Sequence, residues 1–363
     1  MEESEQKLTK KISPYKIIYP IIIGLAVVSY MLYKEFDITA FQQITFTWNT
    51  VFWLLVALMC MFVRDLGYVI RIRVLSGDRL SWIKSIRIIF LWEFTSAVTP
   101  SAIGGTSLAI LFVNKEGIKV GRSSAMVMAT SFLDELYFIL MFPLILLCVS
   151  QSALWNMPGV NSGVSQSLIL FAVGGYLIKL AYLIVLSYGL FKNPRGLKYL
   201  LMKCFKLKLL RKWRHNANEA GSDIVRNSYE LRHMPFLFWM KTFGATFLSW
   251  TARYWVVNAI LMAFWAGNYN WATQFLIFAR QLVMWIMMLV SPTPGGSGFA
   301  EFVFKEYLGE FLPSAGLAIA MAILWRLITY YPYLIAGVFF VPRWVSKHFG
   351  SQRSKKINEL SKN

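Results

Sequence analysis

The chain has 363 residues and a formal net charge of +19, with 57% hydrophobic and only 15% charged residues. Soluble globular proteins carry about 25% charged residues, so this chain has too few to cover an aqueous surface. Its basic residues lie in the gaps between long apolar runs, which the positive-inside rule explains without a nucleic-acid partner. The composition therefore predicts an integral membrane protein.

Known reaction and cofactor motifs give no positive signal. The three cysteines and three histidines show neither a disulfide framework nor metal-ligand spacing. The sequence contains no Walker A, dinucleotide-binding or nucleophile-elbow motif. We therefore expect no metal, no cofactor and no ATP hydrolysis on this chain.

The apolar residues fall into eight segments, which set the predicted architecture. A hydrocarbon layer of about 30 Å requires about 20 apolar residues of helix. No small-residue cleavage site follows the first segment, so we expect it to be retained as a span. The segments are 17–33, 48–63, 86–113, 124–149, 167–190, 236–263, 272–304 and 315–341.

The charge of the gaps predicts the topology. The neutral or acidic gaps are expected outside the cell, and residues 1–14 and 346–363 should be cytoplasmic ends of a transmembrane domain at 15–345. Loop 191–235 interleaves basic and apolar residues, so it either sets topology or lies on the inner leaflet as an amphipathic helix. The gaps rich in Lys and Arg, expected in the cytoplasm, are 64–85, 114–123, 191–235 and the C-terminal tail.

Two segments begin and end beside gaps of the same predicted side, so each should be a re-entrant hairpin. Proline and glycine interrupt the middle of 86–113 and of 272–304. Each limb has about 14 residues, or about 21 Å, which is too short to span. The predicted fold is all-α, with six spanning helices and two hairpins. The predicted break residues are Pro100, Gly104, Gly105, Pro292, Pro294, Gly295, Gly296 and Gly298.

A shift of 191 residues aligns the two hairpins with each other. Gly104-Gly105 then falls on Gly295-Gly296, and Ser124–Ile139 falls on Ala315–Tyr330 without a gap. Because the charge pattern places the copies on opposite sides, we expect inverted repeats, as in transporters that bind substrate at broken helices. Residue identity across the shift is low, so a chance likeness of two membrane hairpins stays open.

Ionisable side chains inside the apolar segments form the candidate binding site. A charge at the bilayer centre costs roughly 2.5–3.5 kcal/mol on insertion scales, so each needs a partner or a function. Arginines would hold a phosphate, and carboxylates would balance them in the empty site. Fixed interhelical ion pairs are an equally open interpretation, and snorkelling is favoured for Lys179. The candidates are Arg253, Arg280, Glu301, Arg326, Asp134 and Glu135, with Glu93 ambiguous.

The segment Pro294–Glu301, which reads PGGSGFAE, carries a family resemblance. Together with Pro100, Gly104-Gly105 and Arg326, it resembles the lysylphosphatidylglycerol synthase transmembrane family, the flippase-like domain of bacterial multiple peptide resistance factors. The resemblance covers residues 15–345. It implies a multi-pass protein of the bacterial inner membrane, related to flippases of aminoacylated phosphatidylglycerol. Relatives are also linked to polyprenyl-phosphate sugars.

Two features depart from that family pattern. The sequence after residue 345 is too short for a soluble aminoacyl-transferase domain, so we expect no synthase activity. Asp134-Glu135 stands where an acidic residue paired with arginine is expected. The extra carboxylate makes the predicted site more acidic, which favours a cationic headgroup such as an aminoacyl group.

Three functions remain open from the sequence. The first is a flippase-like transporter for an anionic phospholipid or a polyprenyl-phosphate lipid. The second is a membrane enzyme that acts on a lipid headgroup, with Asp134, Glu135 or Glu301 as acid or base. The third is a membrane partner that recruits a soluble enzyme through loop 191–235. The lipid, the direction of transport, the energy source and a homo-oligomeric state are not predicted.

Overall fold

The computed structural model is helical throughout the part of the chain that it describes. That part comprises residues 46–98, 102–155, 162–204, 206, 218, 222, 225, 229, 231–264, 270–288, 296, 298–312 and 314–360. The predicted first span at 17–33 and much of loop 191–235 lie outside the described residues. Within the described ranges no residue is in a β-strand, so the all-α prediction is confirmed there.

Twelve α-helices are named here in chain order. A π-helical turn, Tyr188–Lys192, follows α6, and a 3₁₀ turn, Gly309–Phe311, follows α10. The helices are α1 (Trp48–Leu75), α2 (Trp82–Val98), α3 (Ala102–Lys115), α4 (Val120–Cys148), α5 (Gln151–Trp155), α6 (Ser162–Ser187), α7 (Pro194–Cys204), α8 (Phe236–Phe264), α9 (Trp271–Met287), α10 (Phe299–Leu308), α11 (Ala315–Thr329) and α12 (Tyr331–Leu360).

Four stretches of the described chain are long and apolar enough to cross a membrane. They are Trp48–Leu75, Val120–Cys148, Gln166–Lys192 and Ala315–His348. Helix α8 has 29 residues and contains Lys241 and Arg253, and it is not among these four stretches. A helical, multi-pass membrane protein is therefore confirmed, and the number of six spans stays a prediction.

Helix α1 continues well beyond residue 63, where its apolar segment was predicted to end. It runs to Leu75, through a stretch that the charge pattern assigned to the cytoplasm. Arg64 and Arg71 are only 1% and 5% exposed, so their charges are buried rather than solvated. The apolar segment predicted to end at residue 63 therefore continues as helix to Leu75, because hydropathy cannot show that a charge is paired inside the protein.

Helices α2 and α3 form an antiparallel pair. Beside the break at residues 99–101, a Cβ on Gly105 would lie 3.1 Å from the Cα of Ser96. At the opposite end, Arg87 Nη1 donates to Glu116 Oε1 at 2.8 Å. Because α2 and α3 contact each other near both of their ends, the two helices run in opposite directions, and residue 116 lies beside the beginning of α2. Helices α2 and α3 lie where the two limbs of the first hairpin were predicted, and the re-entrant hairpin itself stays a prediction.

Helices α9 and α10 form the second pair. Arg280, in the middle of α9, donates to the carbonyl of Tyr307 at 3.0 Å near the end of α10. Helix α10 begins after Gly298, whose φ of 80° lies in the left-handed region that glycine favours. Gly296 has a φ of 69° in the same connection. Both glycines therefore serve the break between the two helices, as the sequence predicted.

Helices α1 and α8 make the most extensive contact in the described chain and form its central axis. Asn49 near the start of α1 donates to the carbonyl of Met262 near the end of α8 at 3.3 Å. Further along, a Cβ on Gly67 would lie only 2.8 Å from the carbonyl oxygen of Ala245. The two helices are therefore antiparallel, and Gly67 is required for their close approach.

The remaining helix contacts occur in matching sets. Helix α1 packs on α2 as α8 packs on α9, and α3 packs on α4 as α10 packs on α11. Between the halves, α4 touches α8 as α11 touches α1. Helix α9 touches both α4 and α6, whereas α2 touches α12, so the contact orders of the two halves are similar within the described chain but differ at α2 and α9.

The last predicted span, 315–341, is divided in the structure. Helix α11 ends at Thr329, and α12 begins at Tyr331. The hydroxyl of the intervening Tyr330 donates to the carbonyl of Ala97 at 3.0 Å, which is next to the end of α2. Arg326 therefore lies in the last turn of α11, one turn before a break, instead of in the middle of one continuous helix.

Candidate functional site

Three long helices carry ionisable residues near their midpoints. About 20 residues of helix cross a hydrocarbon layer of about 30 Å, and α1, α4 and α8 have 28, 29 and 29 residues. Any stretch of about 20 residues within these helices contains Arg64 in α1, Asp134 in α4 and Arg253 in α8. In a helix that crosses a membrane each such charge needs compensation. Helices α1 and α4 lie within the candidate spans, whereas α8 is not among them.

Two carboxylates share the guanidinium of Arg64. Arg64 Nη1 lies 2.8 Å from Asp65 Oδ1, and Nη2 lies 2.5 Å from Glu93 Oε2. The hydroxyl of Tyr333 accepts from Arg64 Nη1 and donates to the Asp65 carboxylate, both at 2.8 Å. This cluster joins α1, α2 and α12. Its two negative charges and one positive charge leave one negative charge in excess.

A second ion pair lies at the other side of α1. Arg71 Nη1 contacts Asp134 Oδ1 at 2.5 Å and donates to the hydroxyl of Thr246 at 3.1 Å. Trp250 Nε1 donates to the same carboxylate oxygen at 2.7 Å. The pair links α1, α4 and α8, and its charges balance.

Aromatic rings connect these two ion clusters. The Tyr68 ring lies 4.6 Å from Arg64 Cζ and 4.8 Å from Arg71 Cζ, so it separates two like charges with its π face. Its centroid is 6.3 Å from that of Trp250. We call the connected set the central network; it consists of Arg64, Asp65, Tyr68, Arg71, Glu93, Asp134, Trp250, Arg253 and Tyr333.

Arg253 differs from the other arginines of the central network. Its Cζ lies 5.5 Å from the Trp250 ring, one helical turn away on α8. No carboxylate of the described residues forms an ion pair with it, although the side chain is only partly exposed. A partly buried guanidinium at hydrocarbon depth without a carboxylate is suited to bind an anion.

The carboxylates of the central network are partly exposed, and two of its arginines are buried. The side chains of Asp65, Glu93 and Asp134 are 24%, 23% and 26% exposed. Those of Arg64 and Arg71 are 1% and 6% exposed. The accessible surface of the network therefore offers acceptor oxygens and the guanidinium of Arg253.

Glu301 and Arg326 form a separate, closed ion pair. Arg326 Nε donates to Glu301 Oε1 at 3.1 Å, and the side chains are 7% and 1% exposed. The other oxygen of Glu301 accepts from the backbone N–H of Gly298 at 2.8 Å, which completes a cap for α10. Glu301 therefore serves the start of α10 and the charge of Arg326 together.

The Arg326 side chain also connects the two helix pairs. Its Cζ lies 3.8 Å from the centroid of the Tyr330 ring, and Tyr330 bonds to the carbonyl of Ala97. Ala97 lies next to the end of α2, and Gly298 lies at the start of α10. The break ends of both helix pairs therefore lie close together around one buried ion pair.

Arg280 is held away from the central network. Its guanidinium contacts Glu310 at 2.7 Å and donates to the carbonyl of Ala153 at 2.7 Å. With the bond to Tyr307 described above, this buried side chain joins α5, α9 and the end of α10. Arg280 therefore fits a fixed structural link better than a substrate contact.

Glu135 also points away from the central network, although it follows Asp134 directly. Its Oε1 contacts Lys179 Nζ at 2.6 Å, and that nitrogen lies 4.0 Å from the Trp285 ring. The buried Oε2 has no hydrogen-bond partner among the described residues. Lys179 therefore pairs with a carboxylate between α4, α6 and α9, and the predicted snorkelling to the membrane surface is wrong.

The predicted break residues fall partly on the described chain. Pro100, Pro292, Pro294 and Gly295 lie outside it. Gly104 and Gly105 lie in the first turn of α3, directly after the break rather than inside it. Gly105 is needed for the approach of Ser96 described above.

Sequence reasoning found three charged residues of the central network but missed their partners. Asp134 and Arg253 were among the six predicted site residues, and Glu93 was ambiguous. Arg64, Asp65 and Arg71 were assigned to the basic gap 64–85. The regular apolar spacing that continues through Tyr68, Ile72 and Leu75 is the signal that could have extended α1 over them.

The described residues contain no cluster of three or more His, Cys, Asp or Glu side chains with metal-binding geometry.

Residues 17–337 match the family described as "Lysylphosphatidylglycerol synthase TM region". This chain belongs to that family. The resemblance inferred from the Pro-Gly-Gly segment is therefore confirmed.

A curated relative extends the comparison beyond the family match. A "UPF0104 membrane protein" of Archaeoglobus fulgidus is 27% identical over 310 residues, which cover 82% of this chain and 84% of the relative. The alignment thus spans most of both proteins. The family description and this relative indicate a lipid-related membrane protein.

Proposed function

We propose that this protein is a flippase-like transporter that moves a phosphate-bearing lipid headgroup between the leaflets of a cell membrane. The substrate class is an anionic phospholipid, such as aminoacylated phosphatidylglycerol, or a polyprenyl-phosphate lipid. The family match supports a lipid substrate. The single observation that carries the proposal is Arg253, a guanidinium at hydrocarbon depth that no described carboxylate neutralises.

The proposed mechanism places the phosphate on Arg253. Guanidinium binds phosphate through forked, charge-assisted hydrogen bonds that an ammonium group cannot reproduce. The neighbouring Trp250 covers one face of this site and is itself fixed by its bond to Asp134. An amino group on the headgroup would then meet the partly exposed carboxylates of Asp65, Glu93 and Asp134.

The proposed architecture is an inverted repeat of two re-entrant hairpins, α2–α3 and α9–α10. A two-fold axis in the membrane plane requires the equivalent helices on the axis to be antiparallel, as α1 and α8 are. The matching sets of helix contacts support the same relation. In such transporters the substrate site lies at the midplane between the repeats, and we propose that the central network forms this site.

The orientation follows from charge. We propose that residues 1–14 and 346–363 and loop 191–235 are cytoplasmic, in the inner membrane of a bacterium or an equivalent plasma membrane. The basic residues of the loop support this orientation. The chain is not expected to be an enzyme, because each of the three carboxylates of the central network is already paired with an arginine.

The test is a leaflet-resolved assay in vesicles of phosphatidylcholine that contain a trace of headgroup-labelled phosphatidylglycerol. The wild-type protein should expose inner-leaflet label to an external quencher without any change in lipid mass. Arg253→Gln should abolish this exposure, and Arg253→Lys should leave it strongly reduced. Lys241→Gln is the matched control, because Lys241 lies on the same helix but is exposed.

The outcomes separate the three functions that the sequence left open. Equal transport by the Arg253→Gln and Lys241→Gln variants would place the headgroup site elsewhere. A new lipid mass in the vesicles would replace the transporter by an enzyme. If neither transport nor a new mass is found for the folded wild-type protein, recruitment of a partner through loop 191–235 is the function that remains.

A further inference from the structure

We propose that Glu93 and Asp65, which share Arg64, form a proton-binding site that takes up one proton when an anionic headgroup occupies Arg253. This inference rests on the proposed function and adds an energy source to it. The proton comes from the aqueous phase, where an O–H bond of a hydronium ion or of a buffer acid breaks as the O–H bond on a carboxylate oxygen of the cluster forms. No other reactant is needed.

The empty network is electrically neutral only because it includes Arg253. The cluster of Arg64, Asp65 and Glu93 carries one excess negative charge, and the pair of Arg71 with Asp134 is balanced. Arg253 supplies the one positive charge that makes the whole network neutral. The empty site is therefore balanced only across the distance between Arg253 and the cluster, with the Tyr68 and Trp250 rings between them.

A bound anion removes that charge balance. A phosphodiester bound to Arg253 cancels the compensating positive charge and leaves the cluster with one uncompensated negative charge. An uncompensated charge in a low-dielectric interior costs several kcal/mol, and protonation of one carboxylate removes it. Binding of anion and proton are therefore favourable together, and the coupling must be reciprocal.

The geometry selects the proton's position. Both oxygens of Asp65 already accept from the Tyr333 hydroxyl, and Oδ1 also accepts from Arg64. Glu93 Oε2 faces Arg64, whereas no described residue donates to Glu93 Oε1. The Glu93 side chain is also 23% exposed, so a proton can reach it from outside the protein. The structure therefore assigns the proton to Oε1 of Glu93.

The surrounding charged and titratable groups do not offer another balance. On α1 the cluster faces Tyr68 and Arg71, and Arg71 is occupied by Asp134 of α4. On α12 it faces Tyr333, which already bonds to Asp65. From α8, Ser249 donates to the carbonyl of Arg64 at 2.9 Å, Thr246 accepts from Arg71 and Trp250 donates to Asp134. Arg253 of the same helix is more distant from the cluster.

Proton uptake on ligand binding provides the first measurement. Short-chain phosphatidylglycerol is added to the purified full-length protein in weakly buffered detergent with a pH-sensitive dye. The wild-type protein should take up about one proton per bound lipid, because binding of the anion removes one compensating charge. Short-chain diacylglycerol, which lacks the phosphate, should cause no uptake.

Single carboxyl variants sharpen this measurement. Glu93→Gln and Asp65→Asn each make the cluster neutral in advance, so they should bind the lipid with no proton uptake and with affinity independent of pH. Glu306→Gln is the control, because Glu306 is an exposed carboxylate outside the network and should keep the wild-type uptake. Lipid binding by the wild-type protein without proton uptake would overturn the proposal.

Infrared difference spectroscopy tests the proton site without any lipid. As the pH falls, the wild-type protein should gain a protonated-carboxyl band that is absent from Glu93→Gln. In Arg253→Gln this band should appear at a higher pH, because the compensating positive charge is gone. An unchanged titration in both variants would refute the proton site even if transport is normal. Failure of the lipid probe to bind, with the infrared result as expected, would refute only the headgroup site.

Discussion

Removal of one partner of the Glu301–Arg326 pair should destabilise the protein far more than removal of both. Both side chains are more than nine-tenths buried, so either single substitution removes one charge of the pair and leaves the other charge buried. Breaking a buried pair in this way costs about 3–5 kcal/mol, whereas replacing both partners by uncharged groups is often nearly neutral. We therefore expect Glu301→Gln and Arg326→Gln each to lose about 3–5 kcal/mol, and the double variant to lose less than either.

The assay is reversible unfolding in mixed detergent, followed by tryptophan fluorescence, for the wild-type protein and the three variants. A glutamine at position 301 can still accept from the N–H of Gly298, so the cap of α10 is retained and the measured effect reports the charge. Glu306→Gln serves as a control, because its contact with Lys305 is 3.7 Å long and exposed, and should change stability by less than about 1 kcal/mol. A double variant whose loss equals the sum of the two singles would show that the two charges do not compensate each other.

Two further experiments test the packing and the topology. Gly67→Ala should destabilise the protein by about 1–3 kcal/mol, because its Cβ would crowd the carbonyl of Ala245. Gly244→Ala, with open space around the new Cβ, should be neutral or stabilising, and thermal unfolding in detergent compares the two variants. Single cysteines at Lys119 and Glu306, in a background without the native cysteines, should react with an impermeant reagent from opposite sides of sealed vesicles. Labelling of both from the same side would contradict the inverted repeat.

The sequence predicted the helix breaks well, because they depend on local chemistry. Proline removes a backbone donor and disfavours helix in the residue before it, so Thr99-Pro100 marks an end wherever it occurs. Helix α2 accordingly ends at Val98 and α3 begins at Ala102. Glycines that adopt a positive φ, such as Gly298, are similarly visible from residue type alone.

The sequence could not predict which charges are buried, because burial is decided by partners far along the chain. Arg64 ends an apolar run and therefore resembles an interfacial arginine, but Glu93 and Tyr333 compensate it from two other helices. Arg280 was predicted to bind substrate, but it contacts Glu310, a residue assigned to an external gap. Only the fold shows that these pairs exist.

The distribution of ion pairs gives the two hairpins different roles in the proposed mechanism. The second hairpin is fixed at both ends, by Arg280 to Glu310 and by the capped Glu301 to Arg326. In the first hairpin, Glu93 of α2 contacts Arg64 of α1, and this is the contact that the proposed proton would neutralise. A proton on Glu93 would exchange a charged contact for a weaker neutral one. Proton uptake would therefore loosen the first hairpin from α1 while the second hairpin stays in place, which links the energy source to the helix pair that would move.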